Sequence, residues 1–253
     1  IVRVAIFSDV HGNLSALEAV LADVEHHSPD QVIFAGDLCF LGARPAECLR
    51  LVRDRRLPAV VGNTDEWLFG RTTAPEARRE MAEWGRARLS AGEQAWLGRL
   101  PFGLRLCPTA RAADDLLIVH ANPFDVNGIL YPPEEAQLTH FGEVRQSNAE
   151  VTEQLSEVTA AVIAYGHLHI PSVRPLGRLT LVNVSSVSNP GDGDGRAKYA
   201  LLEWTDDGWA ATHHPVAYDV AGEAAAIRAA QPPQWQDAAD ALERDGFYYP
   251  QKI

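Results

Sequence analysis

The stretch VRVAIFSDVHGNL, residues 2–14, indicates how the rest of the chain folds. Its apolar run at residues 2–7 predicts a buried strand. The run ends at Asp9-x-His11, Gly12 breaks the strand, and a helical pattern follows. A carboxylate and an imidazole therefore follow the carboxyl end of the first strand, where open α/β sheets place their sites. The pair can reach one divalent cation, although a turn aspartate beside an unrelated histidine gives the same motif.

The first third of the chain alternates predicted strands with predicted helices. After a helix at residues 14–25, the pattern predicts a strand at 31–35, a helix at 45–55 and a strand at 59–61. Strands that alternate with helices pair in parallel, so we expect an α/β fold with polar strand ends at one edge of a sheet.

The remaining sequence departs from this alternation. Residues 66–100 predict a helical insert whose tryptophans either pack against the sheet edge, the interpretation we favour, or form a lid. Strands are predicted at 103–106, 116–119 and 160–165, with a helical stretch at 143–155. We expect residues 172–184, 198–204 and 209–217 to form an antiparallel second sheet, and 221–245 to form C-terminal helices. The whole chain, 1–253, is predicted to be one domain.

The composition is that of an ordinary globular protein, with 46% hydrophobic and 22% charged residues. A formal net charge of −12 argues against extended nucleic acid or an anionic membrane as a partner, because both require a basic surface. No apolar run approaches the roughly 18 residues of a membrane span. The 3 scattered cysteines suggest no disulfide framework, so we expect a cytoplasmic protein without a signal peptide. An exposed sheet edge would permit a homo-oligomer.

Polar side chains of the same few types recur after five of the predicted strands. The motifs are Asp9-x-His11, Gly36-Asp37, Gly62-Asn63-x-Asp65, His120 and Gly166-His167-x-His169. The glycines allow the backbone to turn sharply beside the polar residues. Each motif alone has little weight, but their recurrence at strand ends indicates a metal site. Mixed carboxylate and imidazole ligands suit Mn²⁺, Fe, Zn²⁺ or Ni²⁺ better than Ca²⁺.

On these motifs, the sequence resembles the calcineurin-like metallophosphoesterase family over at least residues 1–190. The resemblance implies a four-layer α/β/β/α fold, in which two mixed sheets pack together and a dimetal site lies at the carboxyl ends of the strands. It also implies the ligands. The first metal would be held by Asp9, His11, Asp37 and His169, and the second by Asp37 as a bridge, Asn63, His120 and His167. We expect two divalent ions, with Mn²⁺ preferred and Fe, Ni²⁺ or Zn²⁺ as alternatives.

The resemblance further implies hydrolysis of a phosphoester by a hydroxide that bridges the two metals, without a covalent enzyme intermediate. Catalysis would rest on Asp9, Asp37, Asn63 and His120. We expect a phosphodiesterase that acts on a small, nucleotide-like substrate. A phosphomonoesterase is one alternative. A protein-binding scaffold is another, and the complete ligand set argues against it.

Thr64 departs from the family pattern. Many members carry a histidine at this place, which contacts the phosphate and helps to protonate the leaving group. A threonine cannot act as a general acid near neutral pH, a contribution typically worth about 10²–10⁴-fold. The sequence therefore resembles the small bacterial and archaeal phosphodiesterase branch, and we expect diesters with good leaving groups to be preferred. Asp65, which would orient the missing histidine, is interpreted as a helix cap.

Few residues outside the motifs suggest a role. Substrate contacts are predicted for Asn63, Thr64, Arg44 and Arg196. Asn183 or Ser185 follows a late strand and is expected to support a ligand histidine. The histidine pairs His26-His27 and His213-His214 are interpreted as structural, the first because histidine suits a helix C-terminus.

Overall fold

The computed structural model describes residues 2–245; Ile1 and residues 246–253, the ends of the predicted domain, lie outside the described residues. In chain order the strands are β1 (Val2–Phe7), β2 (Gln31–Phe34), β3 (Gly103–Leu106), β4 (Leu116–Val119), β5 (Val162–Tyr165), β6 (Ser172–Leu176), β7 (Leu179–Asn183), β8 (Ala197–Thr205) and β9 (Gly208–Val216). The α-helices are α1 (Leu14–His27), α2 (Pro45–Asp54), α3 (Asn63–Phe69), α4 (Arg79–Arg86), α5 (Ala91–Leu97), α6 (Glu134–Phe141), α7 (Asn148–Gln154), α8 (Val220–Ala230) and α9 (Trp235–Asp245). Short 3₁₀ helices cover Glu76–Arg78 and Ala112–Asp114.

The strands form two mixed sheets. The first has the order β2-β1-β8-β9, in which only β1 and β2 are parallel. The second has the order β3-β4-β5-β7-β6, with a parallel centre of β4, β5 and β7 between antiparallel edge strands. Ile6 and Ile33 from the first sheet share one buried apolar cluster with Ile118 and Val182 from the second. The two sheets therefore pack face to face.

Helices cover the outer face of each sheet. Leu17 of α1 and Leu49 of α2 pack in one buried cluster with Phe7 of the first sheet. On the opposite side of the molecule, Val151 of α7 packs against Ile163 of the second sheet. The predicted α/β/β/α layering with two mixed sheets is thus confirmed.

The prediction of a separate antiparallel second sheet is wrong. Strands β6 and β7 form a hairpin that joins the second sheet beside β5, whereas β8 and β9 form a hairpin that joins the first sheet beside β1. Turn residues reveal which strands pair within a hairpin, but burial decides which sheet edge each hairpin covers. Strand β8 lies between β1 and β9, and its residues 197–202 are all buried, as an interior strand requires.

Two of the predicted strands are shorter than expected. Residues 59–61 form no regular strand and make a single bridge, between Phe34 and Ala59. The predicted strand at 172–184 is divided into β6 and β7 by a turn at Gly177, whose φ of 65° is in the left-handed region that favours glycine. The turn converts one long strand into the hairpin that completes the second sheet.

The helical stretch predicted at 143–155 is shorter in the structure, where it holds only α7 (Asn148–Gln154), and the helix α6 (Glu134–Phe141) precedes it without having been predicted. Helix α6 ends at Gly142, which has a left-handed φ of 74°. Helix α7 begins after Ser147, whose hydroxyl accepts a hydrogen bond from the backbone N–H of Glu150. A left-handed glycine and a polar cap, neither of which the periodicity shows, therefore set the end of α6 and the start of α7.

The helical insert comprises α3, α4 and α5. Trp67 packs edge-on against Phe40, with ring centroids 5.3 Å apart, and Met81 lies in the same buried cluster. The predicted capping box at the start of α5 is present, because Ser90 and Glu93 bond to each other's backbone N–H groups. The contacts of Trp67 agree with a packing role. Across residues 2–245, no helix is long and apolar enough to cross a membrane.

Candidate metal centre

The first group of ligand atoms comes from the loops that follow β1 and β5. His169 Nε2 lies 3.0 Å from Asp9 Oδ1, and His11 Nε2 lies 3.6 Å from the same oxygen. The two imidazole nitrogens are 3.4 Å apart. All three side chains are buried, so their donor atoms converge on one point away from bulk water.

The second group comes from the loops after β2, β4 and β5 and from the start of α3. Asn63 Oδ1 lies 3.0 Å from His120 Nε2 and 3.1 Å from His167 Nδ1. Asp37 Oδ2 is 3.5 Å from His120 Nε2 and 4.0 Å from His11 Nε2. Asp37 therefore faces both groups, which is the position that a bridging carboxylate requires.

The donor set fits two divalent cations. The ligand atoms of Asp9, His11 and His169 lie within 4.8 Å of one another, and so do those of Asp9, Asp37 and His120. Asp9 belongs to both sets, so it joins Asp37 at the boundary between them. Buried carboxylates and imidazoles whose donor atoms converge are the mixed ligands that Mn²⁺, Fe, Zn²⁺ and Ni²⁺ accept. The structure thus brings together every ligand that the motifs predicted.

The backbone at these ligands is unusual. Five of them have φ between 48° and 65°, in the left-handed region that side-chain-bearing residues rarely adopt. They are Asp9, His11, Asp37, His167 and His169. Such conformations persist only where the surroundings enforce them, and they cluster at functional sites. The sharp turns point consecutive polar side chains back toward one centre.

Glycines make room for this centre. Gly36 has a φ of 95°, and a Cβ there would lie 2.6 Å from Nδ1 of His120. A Cβ on Gly62 would overlap the carboxylate of Asp37, and a Cβ on Gly166 would overlap that of Asp9. The glycines beside the candidate ligands therefore allow the backbone to approach the ligand side chains closely, and they also allow it to turn sharply.

Backbone carbonyls fix the orientation of two ligand imidazoles. His120 Nδ1 lies 2.9 Å from the carbonyl oxygen of Ala35, and His169 Nδ1 lies 2.9 Å from that of Asn189. A carbonyl oxygen only accepts, so each Nδ1 donates its proton there. Nε2 of each ring is the nitrogen left for a cation, an arrangement common behind metal-binding histidines.

The loop that carries His167 and His169 is held from behind. The amide of Asn183 donates to the carbonyl oxygen of Gly166 at 2.8 Å, and the hydroxyl of Ser185 donates to that of His169 at 3.0 Å. Both residues that the sequence suggested as supports are thus in contact with the loop. They hold its backbone and not the imidazole rings.

Asp65 has a larger role than the predicted helix cap. Its carboxylate accepts hydrogen bonds from the N–H groups of Gly62, Asp37 and Leu38, at 2.9–3.0 Å. The bond from Gly62 completes the capping box of α3, while the other two hold the backbone of a ligand. Burial, together with repulsion from Asp37, raises the pKa of Asp65 to about 7. Its place three residues after Gly62 is the only sequence signal for this role.

Burial and neighbouring charges shift the pKa values of the four histidines in two different directions. Burial, with repulsion from neighbouring imidazoles, lowers the pKa of His11 and of His167 to about 3. Burial also acts to lower the pKa of His120, but attraction from Asp37 and Asp9 outweighs it and raises the value. The pKa of His169 is raised in the same way, chiefly by Asp9. The carboxylates therefore favour the protonated form of His120 and His169, whereas burial favours the neutral form of His11 and His167.

The two arginines predicted to contact substrate are engaged elsewhere. Arg44 forms an ion pair with buried Glu223 and donates to the hydroxyl of Ser15. The guanidinium of Arg196 is paired with Asp194 through both carboxylate oxygens. The structure therefore does not support Arg44 or Arg196 as the cations that receive a phosphate.

Arg78 is a basic residue near the candidate centre that the sequence analysis did not single out. Its 3₁₀ helix lies between Ala74 and Met81, which pack in the buried cluster with Phe40. The ring of Phe40 lies 6.5 Å from that of His11, and the charge of Arg78 adds to the influences that lower the pKa of His11. Among residues 2–245 we find no acidic partner for Arg78, whereas the adjacent Arg79 is paired with Glu76. One arginine among the several in the helical insert gives no distinguishing sequence signal.

The buried carboxylates and imidazoles at the strand ends form a candidate site for divalent metal ions. The calcineurin-like phosphoesterase superfamily domain matches residues 2–207, and the chain belongs to this superfamily. Membership makes it a phosphoester hydrolase of a family that binds divalent metals.

Individual relatives agree with this assignment. A metallophosphoesterase from Sphaerobacter thermophilus is 30% identical, with a TM-score of 0.69 over 92% of this chain and 95% of its own. An uncharacterised protein from Methanocaldococcus jannaschii is 26% identical over 223 residues, which cover 80% of this chain and 83% of the relative. A hypothetical protein from Pyrococcus horikoshii, 15% identical, shares the fold, with a TM-score of 0.76 over 98% of this chain and 100% of its own.

Proposed function

We propose that this protein is a phosphodiesterase that hydrolyses a small, nucleotide-like diester with the help of two divalent ions, Mn²⁺ preferred. The observation that carries the proposal is the convergence of two ligand groups on shared carboxylates, with Asp37 Oδ2 at 3.5 Å and 4.0 Å from histidines of the two groups. When bound, the two ions would lower the pKa of water and stabilise negative charge on phosphate oxygens.

The chain's own residues orient that chemistry. Asp9 and Asp37 bring negative charge to the boundary between the two groups, and Asn63 fixes the spacing of His120 and His167 through one amide oxygen. Buried, preorganised ligands need no rearrangement when charge develops, which is the main source of electrostatic catalysis. Arg78 is the cation that we assign to the substrate phosphate in place of Arg44 and Arg196.

Thr64 sets the preference among substrates. Its backbone N–H donates to Asp37 Oδ1 at 2.9 Å, so the residue positions a ligand but offers no titratable proton near neutral pH. A leaving group that is stable as an anion needs no proton, whereas an alkoxide does. Diesters with acidic leaving alcohols should therefore turn over faster than those with ordinary sugar hydroxyls.

A shallow cleft opens beside His11. It is lined by Asn13 and Glu223 together with the apolar side chains of Leu41, Ile227 and Leu242. Apolar walls with a few polar groups are typical of small-molecule sites. The organic group attached to the phosphate is therefore expected to lie in this cleft.

The decisive experiment is hydrolysis of bis-p-nitrophenyl phosphate by the full chain, stripped with EDTA and resupplied with Mn²⁺. We expect turnover that returns with Mn²⁺ and exceeds that on p-nitrophenyl phosphate. Asp37→Ala should lack turnover, while Asp207→Ala, a change in an exposed hairpin turn, should retain it. Equal activity of Asp37→Ala and wild type would overturn the proposal, and faster turnover of the monoester would assign a phosphomonoesterase instead.

A further inference from the structure

A second cluster of metal-type ligands lies on the outer face of the first sheet. Asp23 and His27 are one helical turn apart at the end of α1, and His214 lies on β9. The sequence shows His27 and His214 only as members of two separate histidine pairs. The fold brings one histidine from each pair together beside a carboxylate.

The geometry places three donor atoms around one point. His27 Nε2 lies 3.7 Å from Asp23 Oδ2, and the rings of His27 and His214 have centroids 4.3 Å apart. The three ligand atoms all lie within 4.8 Å of one another. Ligands of a tetrahedral Zn²⁺ ion, at about 2.0–2.2 Å from the metal, are separated by about 3.3–3.6 Å. Small rotations of the half-exposed side chains would close the set.

One ring nitrogen of His214 is buried without a hydrogen bond. Its Nε2 is buried and has no hydrogen-bond partner in the structure. A buried polar atom without a partner costs roughly 1–3 kcal/mol, so such atoms are rare in folded proteins. Interaction with the helix C-terminus would account for His27, but it leaves the buried nitrogen of His214 unexplained.

Tyr199 on β8 supports two of the three ligands. Its hydroxyl donates to Asp23 Oδ2 at 2.8 Å, and its ring stacks on that of His214 with centroids 5.0 Å apart. Metal ligands are commonly oriented by such outer hydrogen bonds and packing. A plain His–Asp hydrogen bond would explain the pair less well, because 3.7 Å exceeds the range of a hydrogen bond.

We propose that Asp23, His27 and His214 form a second metal site, distinct from the strand-end centre, that binds one zinc-class divalent ion. Two imidazoles and one carboxylate are ligands that Zn²⁺ and Ni²⁺ prefer over Mg²⁺ and Ca²⁺. The ion would join the end of α1 to β9, so its effect is on stability and not on hydrolysis.

The test counts bound Zn²⁺ per full-length chain after equilibrium dialysis, in wild type, His27→Gln and His214→Gln. His26→Gln is the matched control, since His26 is exposed and adjacent but outside the cluster. We expect both cluster variants to bind one ion fewer than wild type and His26→Gln. Mn²⁺-dependent turnover should be equal in all four proteins, which separates this proposal from the proposed function.

Two further measurements distinguish the loss of a bound ion from the misfolding of a variant. Zn²⁺ should raise the Tm of wild type and of His26→Gln more than that of His27→Gln, whose half-exposed side chain can be replaced with little structural cost. Co²⁺ should give visible absorption that His27→Gln reduces. The same zinc stoichiometry in His27→Gln and His26→Gln would overturn the proposal, whatever the behaviour of His214→Gln.

Discussion

Strand β1 and the loop at its carboxyl end are both buried, but the strand buries apolar side chains and the loop buries ionisable ones. Val4 and Ile6 are fully buried among apolar side chains of both sheets. Asp9, three residues after Ile6, is just as buried but faces imidazoles. The apolar region is complete by itself, whereas the polar end concentrates charge that a cation would balance. Stability and catalysis should therefore respond to different substitutions along one short segment.

The sharpest test of this contrast is Asp9→Asn. It removes a charge shared by both ligand groups while leaving an oxygen near the backbone N–H of His167. Because charge stabilisation by metals is worth several kcal/mol, we expect kcat on bis-p-nitrophenyl phosphate to fall by about 10³-fold or more. Asp207→Asn is the control, and a variant with normal kcat would remove Asp9 from the mechanism.

Ile6→Ala should show the opposite behaviour. The side chain is fully buried between the sheets, and such truncations typically reduce the free energy of unfolding by about 2–5 kcal/mol. Urea unfolding of the metal-free protein measures this loss. The kcat of the folded fraction should stay within a few-fold of wild type. Val173→Ala, at a half-exposed position on an edge strand, should lose much less stability.

Arg78→Ala should weaken substrate binding by a smaller factor. A charge-assisted hydrogen bond contributes about 1.5–3 kcal/mol, so KM should rise about tenfold or more while the number of bound metals stays constant. Arg79→Ala is the matched control, because that side chain is exposed and paired with Glu76. Equal effects of the two changes on KM would mean that Arg78 acts only through the general charge of the insert.

The smallest expected effect is the number of protons released when Mn²⁺ binds to the candidate centre. His120 and His169 have raised pKa values, so at pH 6.5 the metal-free centre holds protons that a cation must displace. Mn²⁺ binding should release protons at this pH, and the release should decline as the pH rises. Calorimetry in buffers of different ionisation enthalpy measures the number. His120→Gln should release fewer protons than wild type, and release that does not depend on pH would contradict the assignment.

Sequence reasoning reached the ligands because each is marked locally. Asp9, Asp37 and His169 follow predicted strands at turns, and parallel strands bring such ends together. Residues 172–217 were expected to form a sheet of their own, but β6–β7 and β8–β9 complete two different sheets, because the choice of sheet edge depends on burial across the whole fold. Arg78 and the pairing of His27 with His214 were missed for a related reason. Their neighbours are distant in sequence and are brought close only by packing.

The left-handed backbone at the ligands has an evolutionary consequence. A residue with a side chain in that region costs of order 1 kcal/mol relative to glycine, so glycine at Asp9 or His167 would relieve backbone strain. Drift at these positions, if hydrolysis were no longer needed, would therefore favour loss of the ligands. We expect lineages that abandon turnover to discard these residues early.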